Sequence, residues 1–276
     1  MPLRDARALE TFLGSSGLPV SWDSIVVQAA SADVVFIGEM HGHNQGLAFA
    51  SALFEDVIAR KPHTAALSME FFERDHQLAL DDYIAGITTE ETFRKAARRT
   101  KGNYPPEHHE MVESAKKYEA PVIAANAPRR YVSLARTKGY DHLRAFNERQ
   151  REHFRIPESL DDGAYREKFY GFMAGMNHGN DTDEDKILPF YRSMSLWDET
   201  MADSIARAVS LGKAPIVHVV GQFHSDEQGG LVTRFQKMSP GARVLVITTI
   251  AVWSDELRDE EIDRADIVVY VGPRQE

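Results

Sequence analysis

The sequence predicts an α/β fold with three layers, in which a mostly parallel β-sheet is flanked by helices and a helical insertion or cap covers about 141–211. Three observations carry this expectation. Short apolar runs rich in β-branched residues alternate with stretches of helical periodicity. The runs are apolar at consecutive positions, as in strands buried on both faces. The 276 residues hold no low-complexity stretch and no repeat beyond one short turn, so the chain reads as a single domain, 1–276.

In order, residues 4–14 carry helical apolar spacing at Leu9, Phe12 and Leu13, ending at Gly14. A second short helix is expected over about 22–30. The first strand is about 34–38, in Val34-Val35-Phe36-Ile37. The helix after it, about 45–60, has a wide apolar face of Leu47, Phe49, Leu53, Phe54 and Val57 and stops before Pro62. A strand at about 64–69 runs into Glu70-Phe71-Phe72, and a broken, mostly helical stretch follows to Tyr118. The third strand, about 122–125, ends in Asn126-Ala127-Pro128-Arg129, where the proline suits a helical first turn. Residues 141–211 carry no strand signal. Their last helix places Phe190, Met194, Trp197, Met201, Ile205 and Ala208 at spacings that predict one buried stripe. Strands at 216–220, 244–250 and 267–271, with a helix at about 231–238, complete the chain.

Composition narrows the function. With no cysteine, disulfides, thiolate metal sites and cysteine nucleophiles are excluded. A net charge of −10 argues against nucleic acid as a partner. No stretch approaches the length of a transmembrane segment, and the first residues lack a signal-peptide pattern. As written the protein is expected to be cytoplasmic, or periplasmic if a leader has been removed. No phosphate loop, dinucleotide fingerprint, His-Glu-x-x-His or nucleophile elbow occurs.

The chemistry gathers where the strands end. Gly38-Glu39-Met40-His41 and Gly221-Gln222-Phe223-His224 repeat a Gly-x-x-His phrase directly after two apolar strands. Ligands of open α/β sheets sit beyond the carboxyl ends of the strands. That edge would collect Glu39, His41, Glu70 and His224 as candidate acid–base groups. His41, Glu70 and His224 are also candidate ligands of a divalent metal. Asn126, Arg129, Trp197, Asp198 and Gln222 are candidates for substrate binding. Each has a bland alternative: Glu39 as a helix cap, Asn126 and Arg129 as parts of a turn, Trp197 and Asp198 as packing beside solvent. His218 reads as a core residue, His43 as a spare ligand, and His76, His108 and His109 as exposed.

These phrases, with Ser68-Met69-Glu70-Phe71-Phe72, Ser195-Leu196-Trp197-Asp198-Glu199 and His218-Val219-Val220-Gly221, resemble the ChaN-like family of the haem-binding uptake, Tiki superfamily. The match spans about Ala32 to Ile250. The sequence departs from the family pattern at Gly46-Leu47, where members often carry paired histidines, and in having no lipoprotein cysteine. The resemblance implies haem as cofactor, a role in iron acquisition, and a homodimer holding haem between subunits. The wider group, with the similar fold of erythromycin esterases, implies instead hydrolysis of an ester or amide by His41, Glu70 and His224 beside Glu39. Haem ligation here would fall to tyrosine or histidine of the helical block, with Tyr170 and His178 as candidates.

Overall fold

The computed structural model describes residues 3–161, 163–176 and 183–274. Seven strands form one sheet: β1 (Thr11–Leu13), β2 (Val34–Glu39), β3 (Ala66–Glu73), β4 (Val122–Asn126), β5 (Ile216–Gly221), β6 (Val244–Ile250) and β7 (Ile267–Tyr270). Their order across the sheet is β1-β7-β6-β2-β5-β3-β4, and every pairing is parallel except the β1–β7 edge. The central strands β2 and β5 bury every residue, because helices cover both faces.

Side chains alternate between those faces. Val35 and Ile37 join a core with α1 (Trp22–Ser31), α2 (Asn44–Arg60), α3 (Gln77–Ile84), α4 (Glu90–Ala96) and α5 (Pro106–Lys117). Val34 and Phe36 face the opposite layer. After β4 the chain passes through α6 (Arg129–Lys138), α7 (Tyr140–Arg144), α8 (Glu148–Arg151) and α9 (Ala164–Met176). The long α10 (Glu184–Ser210) and α12 (Gly230–Met238) then close that face through Met201, Ile205, Leu231 and Phe235; the one-turn α11 (Gln222–Ser225) follows β5 directly. The expected three layers are therefore present. The C-terminal half of α10 belongs to the sheet's own covering layer, whereas Met194 and Trp197 nearer its start line the cleft.

From β2 the chain crosses to β3 on one side, and from β5 it crosses back over β2 to β6 on the other. The carboxyl ends of β2 and β5 thus flank a switch point, where an open α/β sheet leaves a crevice.

Three local expectations change. Residues 4–14 are not a helix: Ala6–Ala8 is a single 3₁₀ turn, and Thr11–Leu13 pairs with β7. The spacing of Leu9, Phe12 and Leu13 fits a helix, but the open edge of β7 captures the segment and Phe12 packs edge-on against Tyr270 at 5.8 Å. The second strand runs on to Glu73, with an irregular register between Met69 and Glu73 that spans Glu70 and Phe71. Such a bulge re-aims side chains beside a site. The predicted stripe of α10 divides: Met201, Ile205 and Ala208 are buried, whereas Phe190 is exposed and Met194 and Trp197 line cavities. Among the described residues no helix is long and apolar enough to cross a membrane.

Candidate functional site

Glu39 is the last residue of β2, and its buried carboxylate meets His41 Nδ1 at 2.6 Å. A carboxylate at Nδ1 fixes the tautomer and leaves Nε2 to face outward. Burial raises the Glu39 pKa against the opposing pull of His41. The bond from Glu39 raises that of His41 against burial, with the charge of Glu70 adding. The His41 ring stands edge-on to Phe71 at 5.4 Å and crosses the backbone of Gly221, where a Cβ would lie 3.0 Å from Cε1 and Nε2. Gly221 has a φ of −56°, so it is glycine for this close approach and not for a turn. Gly38 serves likewise, since a Cβ there would meet Ser225 Oγ at 2.7 Å.

Glu70, carried on the bulge, accepts the Gly221 N–H through Oε2 at 2.7 Å. Its other oxygen lies 3.7 Å from His224 Nε2. His224 sits on α11, and its Nδ1 meets Asp198 Oδ1 at 2.5 Å. Asp198 is wholly buried in α10 and accepts from the Tyr165 hydroxyl at 2.8 Å. Burial opposes charge on His224, but Asp198 and Glu70 together push its pKa up to about 9. Two carboxylate–imidazole pairs therefore flank one glutamate. The His41 side chain is 59% exposed and the His224 side chain 7%, so a ligand reaches His41 first.

Glu39, His41, Glu70 and His224 line a cleft of about 1180 Å³, with Asp198 and Tyr165 behind His224. Asn126, Arg129, Trp197 and Gln222 line it too. Asn126 uses its Oδ1 on the Ala127 N–H, the turn role, and Arg129 stands at the rim 3.8 Å from Glu73. Gln222, with its amide turned to donate to Thr249 O at 3.2 Å, accepts from Arg264 at 2.9 Å. Trp197 borders both the cleft and a second slot of about 520 Å³ between α6, α9 and α10. Tyr170 lines neither cavity; its hydroxyl accepts from Arg166 at 3.2 Å. His178 lies outside the described residues.

Both imidazole Nδ1 atoms are held by carboxylates, which leaves two Nε2 atoms and Glu70 as a donor set chemically suited to a divalent ion. Among the described residues, however, the trio that gathers its donor atoms within 4.8 Å is Glu73, Asp75 and His76.

Other histidines behave differently from their sequence reading. His43 is no spare ligand: it is buried, caps α2 by accepting the Gly46 N–H at 3.2 Å, and meets Gly272 O at 2.9 Å. His76 is buried and closes a capping box with Glu73, and its pKa is lowered to about 4 chiefly by burial. His108 is buried with both ring nitrogens unpartnered. Helical polarity around His76 and His108 hid a tertiary face. His218 is a core residue as expected, bonded to Ser68 Oγ at 2.8 Å.

From the sequence, Asp198 is a candidate for substrate binding, and Tyr165 is one of the helical-block tyrosines the resemblance offers for haem. Their link to His224 had one visible signal: Asp198 falls four residues from Met194 and three from Met201, on the helical stripe. An acid on that stripe requires a partner.

Fold and site together define an α/β protein with a histidine–carboxylate centre at the carboxyl edge of a mostly parallel sheet. The model of the family described as haem-binding uptake, Tiki superfamily, ChaN, matches residues 25–235, and the chain belongs to that family. Among solved structures it is similar to ChaN of Campylobacter jejuni, described as binding haem cofacially. That match has 14% identity and a TM-score of 0.74, over 97% of this chain and 98% of that one. It is also similar to a protein of Bacillus cereus, with 13% identity and a TM-score of 0.50, over 89% of this chain and 73% of that one. At such identities the likeness speaks to the fold. No curated protein matches the sequence.

Proposed function

We propose that this protein binds haem in the slot between α6, α9 and α10, in the service of iron acquisition. The observation that carries the reading is the composition of that slot. Phe172, Met173, Phe190, Met194 and Trp197 make an apolar wall, and Arg129 and Arg136 stand beside it. Phe172 and Phe190 are 53% and 41% exposed, an uncommon cost for two neighbouring phenylalanines unless something covers them. A porphyrin would cover the apolar wall, and the guanidinium groups would pair with its propionates. A second copy closing over the exposed face would make the homodimer. Family membership supports the same reading.

Haem titration followed at the Soret band tests it. Stoichiometric binding is expected, weakened by Phe190→Asp and by Arg136→Glu and unaffected by His41→Ala. Tyr170 lines neither cavity, so Tyr170→Phe should leave the band in place, whereas a shift on His178→Ala would assign the iron ligand to that histidine. No spectral change at stoichiometric haem would remove the proposal.

A second reading rests on the paired imidazoles. Protonated His224 is placed to donate, and Glu70 to accept, a proton during hydrolysis of an ester or amide bound against His41. In the alternative version His224 is neutral, and a divalent ion held by His41, Glu70 and His224 would replace that proton transfer with Lewis-acid activation of water. Release of nitrophenol from nitrophenyl esters, abolished by Glu70→Gln and by His224→Ala, is the expected result. Activity that survives both variants would place the chemistry elsewhere, and metal analysis of the purified protein separates the two versions.

A further inference from the structure

The cleft's far wall is built of cations. Arg98, Arg99, Lys101, Arg129 and Arg130 line it, and the carboxylates among them are Glu73 and Asp75. Asp75 takes Arg98 at 2.8 Å and Arg130 at 2.6 Å, and Glu73 lies 3.8 Å from both Arg98 and Arg129. Arg99 and Lys101 have no carboxylate partner among the described residues. Arg99 is half-buried and spends its Nε on Ala97 O at 2.7 Å, which leaves its terminal nitrogens for a ligand. α6 begins at the same wall without a side-chain cap, so its positive end adds to the field.

An independent feature points the same way. His108 lines this part of the cleft, 1% exposed, with neither ring nitrogen bonded to anything, its ring 4.0 Å from that of Phe71. His76, 2% exposed and also lining the cleft, is turned instead to the carboxylates, its Nε2 3.8 Å from Asp75 Oδ1, so among the described residues His108 alone offers bare ring nitrogens here. Buried polar atoms left bare beside a surplus of guanidinium groups describe a place built for oxygen acceptors.

We infer that Arg99 and Lys101, with His108 beside them, form an anion subsite that holds a phosphate group of a small-molecule ligand whose remainder extends toward Glu70 and His41. The inference depends on neither reading of the centre itself. Lys101 is exposed, so Lys101→Ala leaves the fold intact; Arg99→Gln keeps the Nε-side polarity and is checked by its melting temperature.

Calorimetric titration of the intact protein at low salt, with inorganic pyrophosphate and with succinate as separate probes, tests it. Pyrophosphate should bind, and each substitution should weaken it about tenfold, the worth of one charge-assisted hydrogen bond. The affinity should fall with added salt. Unaltered affinity in a folded Lys101→Ala together with Arg99→Gln, or no binding of pyrophosphate, overturns the subsite. Succinate binding as tightly as pyrophosphate overturns the assignment to phosphate.

Discussion

His224 concentrates the electrostatics of the site. Its imidazole is buried, yet Asp198 on one side and Glu70 on the other favour the charged form, with a pKa of about 9. Because the folded value lies above the ordinary histidine value of about 6.5, the protonated pair stabilises the fold fully below that pH. The contribution is lost as pH rises through about 9. Asp198→Asn should therefore lower the His224 pKa by more than one unit in an NMR titration. It should cost about 3 kcal/mol in urea unfolding at pH 6, as for breaking a buried ion pair, and much less at pH 10. Glu39, His41, Glu70 and His224 were legible in the sequence because each closely follows an apolar run. The pairing of Asp198 with His224 was not, since 26 residues separate them and only packing of α10 against α11 brings them together.

At the scale of elements, one side chain ties the end of β3 to α10. Arg74, just past β3, donates to Ser204 Oγ at 2.9 Å, Thr200 O at 3.0 Å and Glu152 O at 3.1 Å, and pairs with Asp203 at 2.6 Å. Its side chain is 10% exposed, so removal leaves a cavity and takes from Asp203 its closest cation, although Arg207 stays at 2.9 Å. Arg74→Ala should destabilise by about 3–4 kcal/mol in denaturant melts. Arg74→Lys should recover little, because an ammonium lacks the planar fork that reaches four acceptors. A larger consequence is expected at the site, since α10 also carries Asp198. The strands and most helices of this architecture were readable from periodicity. The edge strand β1 was not: three residues with helical spacing become a strand only because β7 offers unpaired backbone groups.

Across the whole molecule, neutral buried histidines set the acid limit. His76, His108 and His218 have pKa values lowered to about 4, 3 and 3, in each case chiefly by burial. Their folded values lie below the unfolded value, so the stability they allow is present above about pH 6.5 and is lost as pH falls toward 3–4. Glu39, Glu73, Glu107, Glu199 and Asp226, raised by burial, take up protons earlier in the folded state and work the other way. His108→Phe removes one titrating group without removing a hydrogen bond. Between pH 6.5 and 4 its stability should fall less steeply than that of the parent, by up to about 1.4 kcal/mol per pH unit. Equal slopes in paired urea titrations would show that His108 is not the buried neutral group described.

What the sequence alone determined is the sheet, its parallel sense, and the edge at which the glutamate and histidine side chains gather. Strand and helix periods are local, and the carboxyl ends of parallel strands necessarily share one side. Only the tertiary structure decided how Gly38-Glu39-Met40-His41 and Gly221-Gln222-Phe223-His224 complete one another. Gly221 is bare so that the His41 ring can cross it. Glu70 reaches the Gly221 amide because β3 bulges, and His224 is charged because α10 supplies Asp198. Each of these depends on close approach between segments far apart in the chain, and packing distance is not written in a period of two or of 3.6 residues.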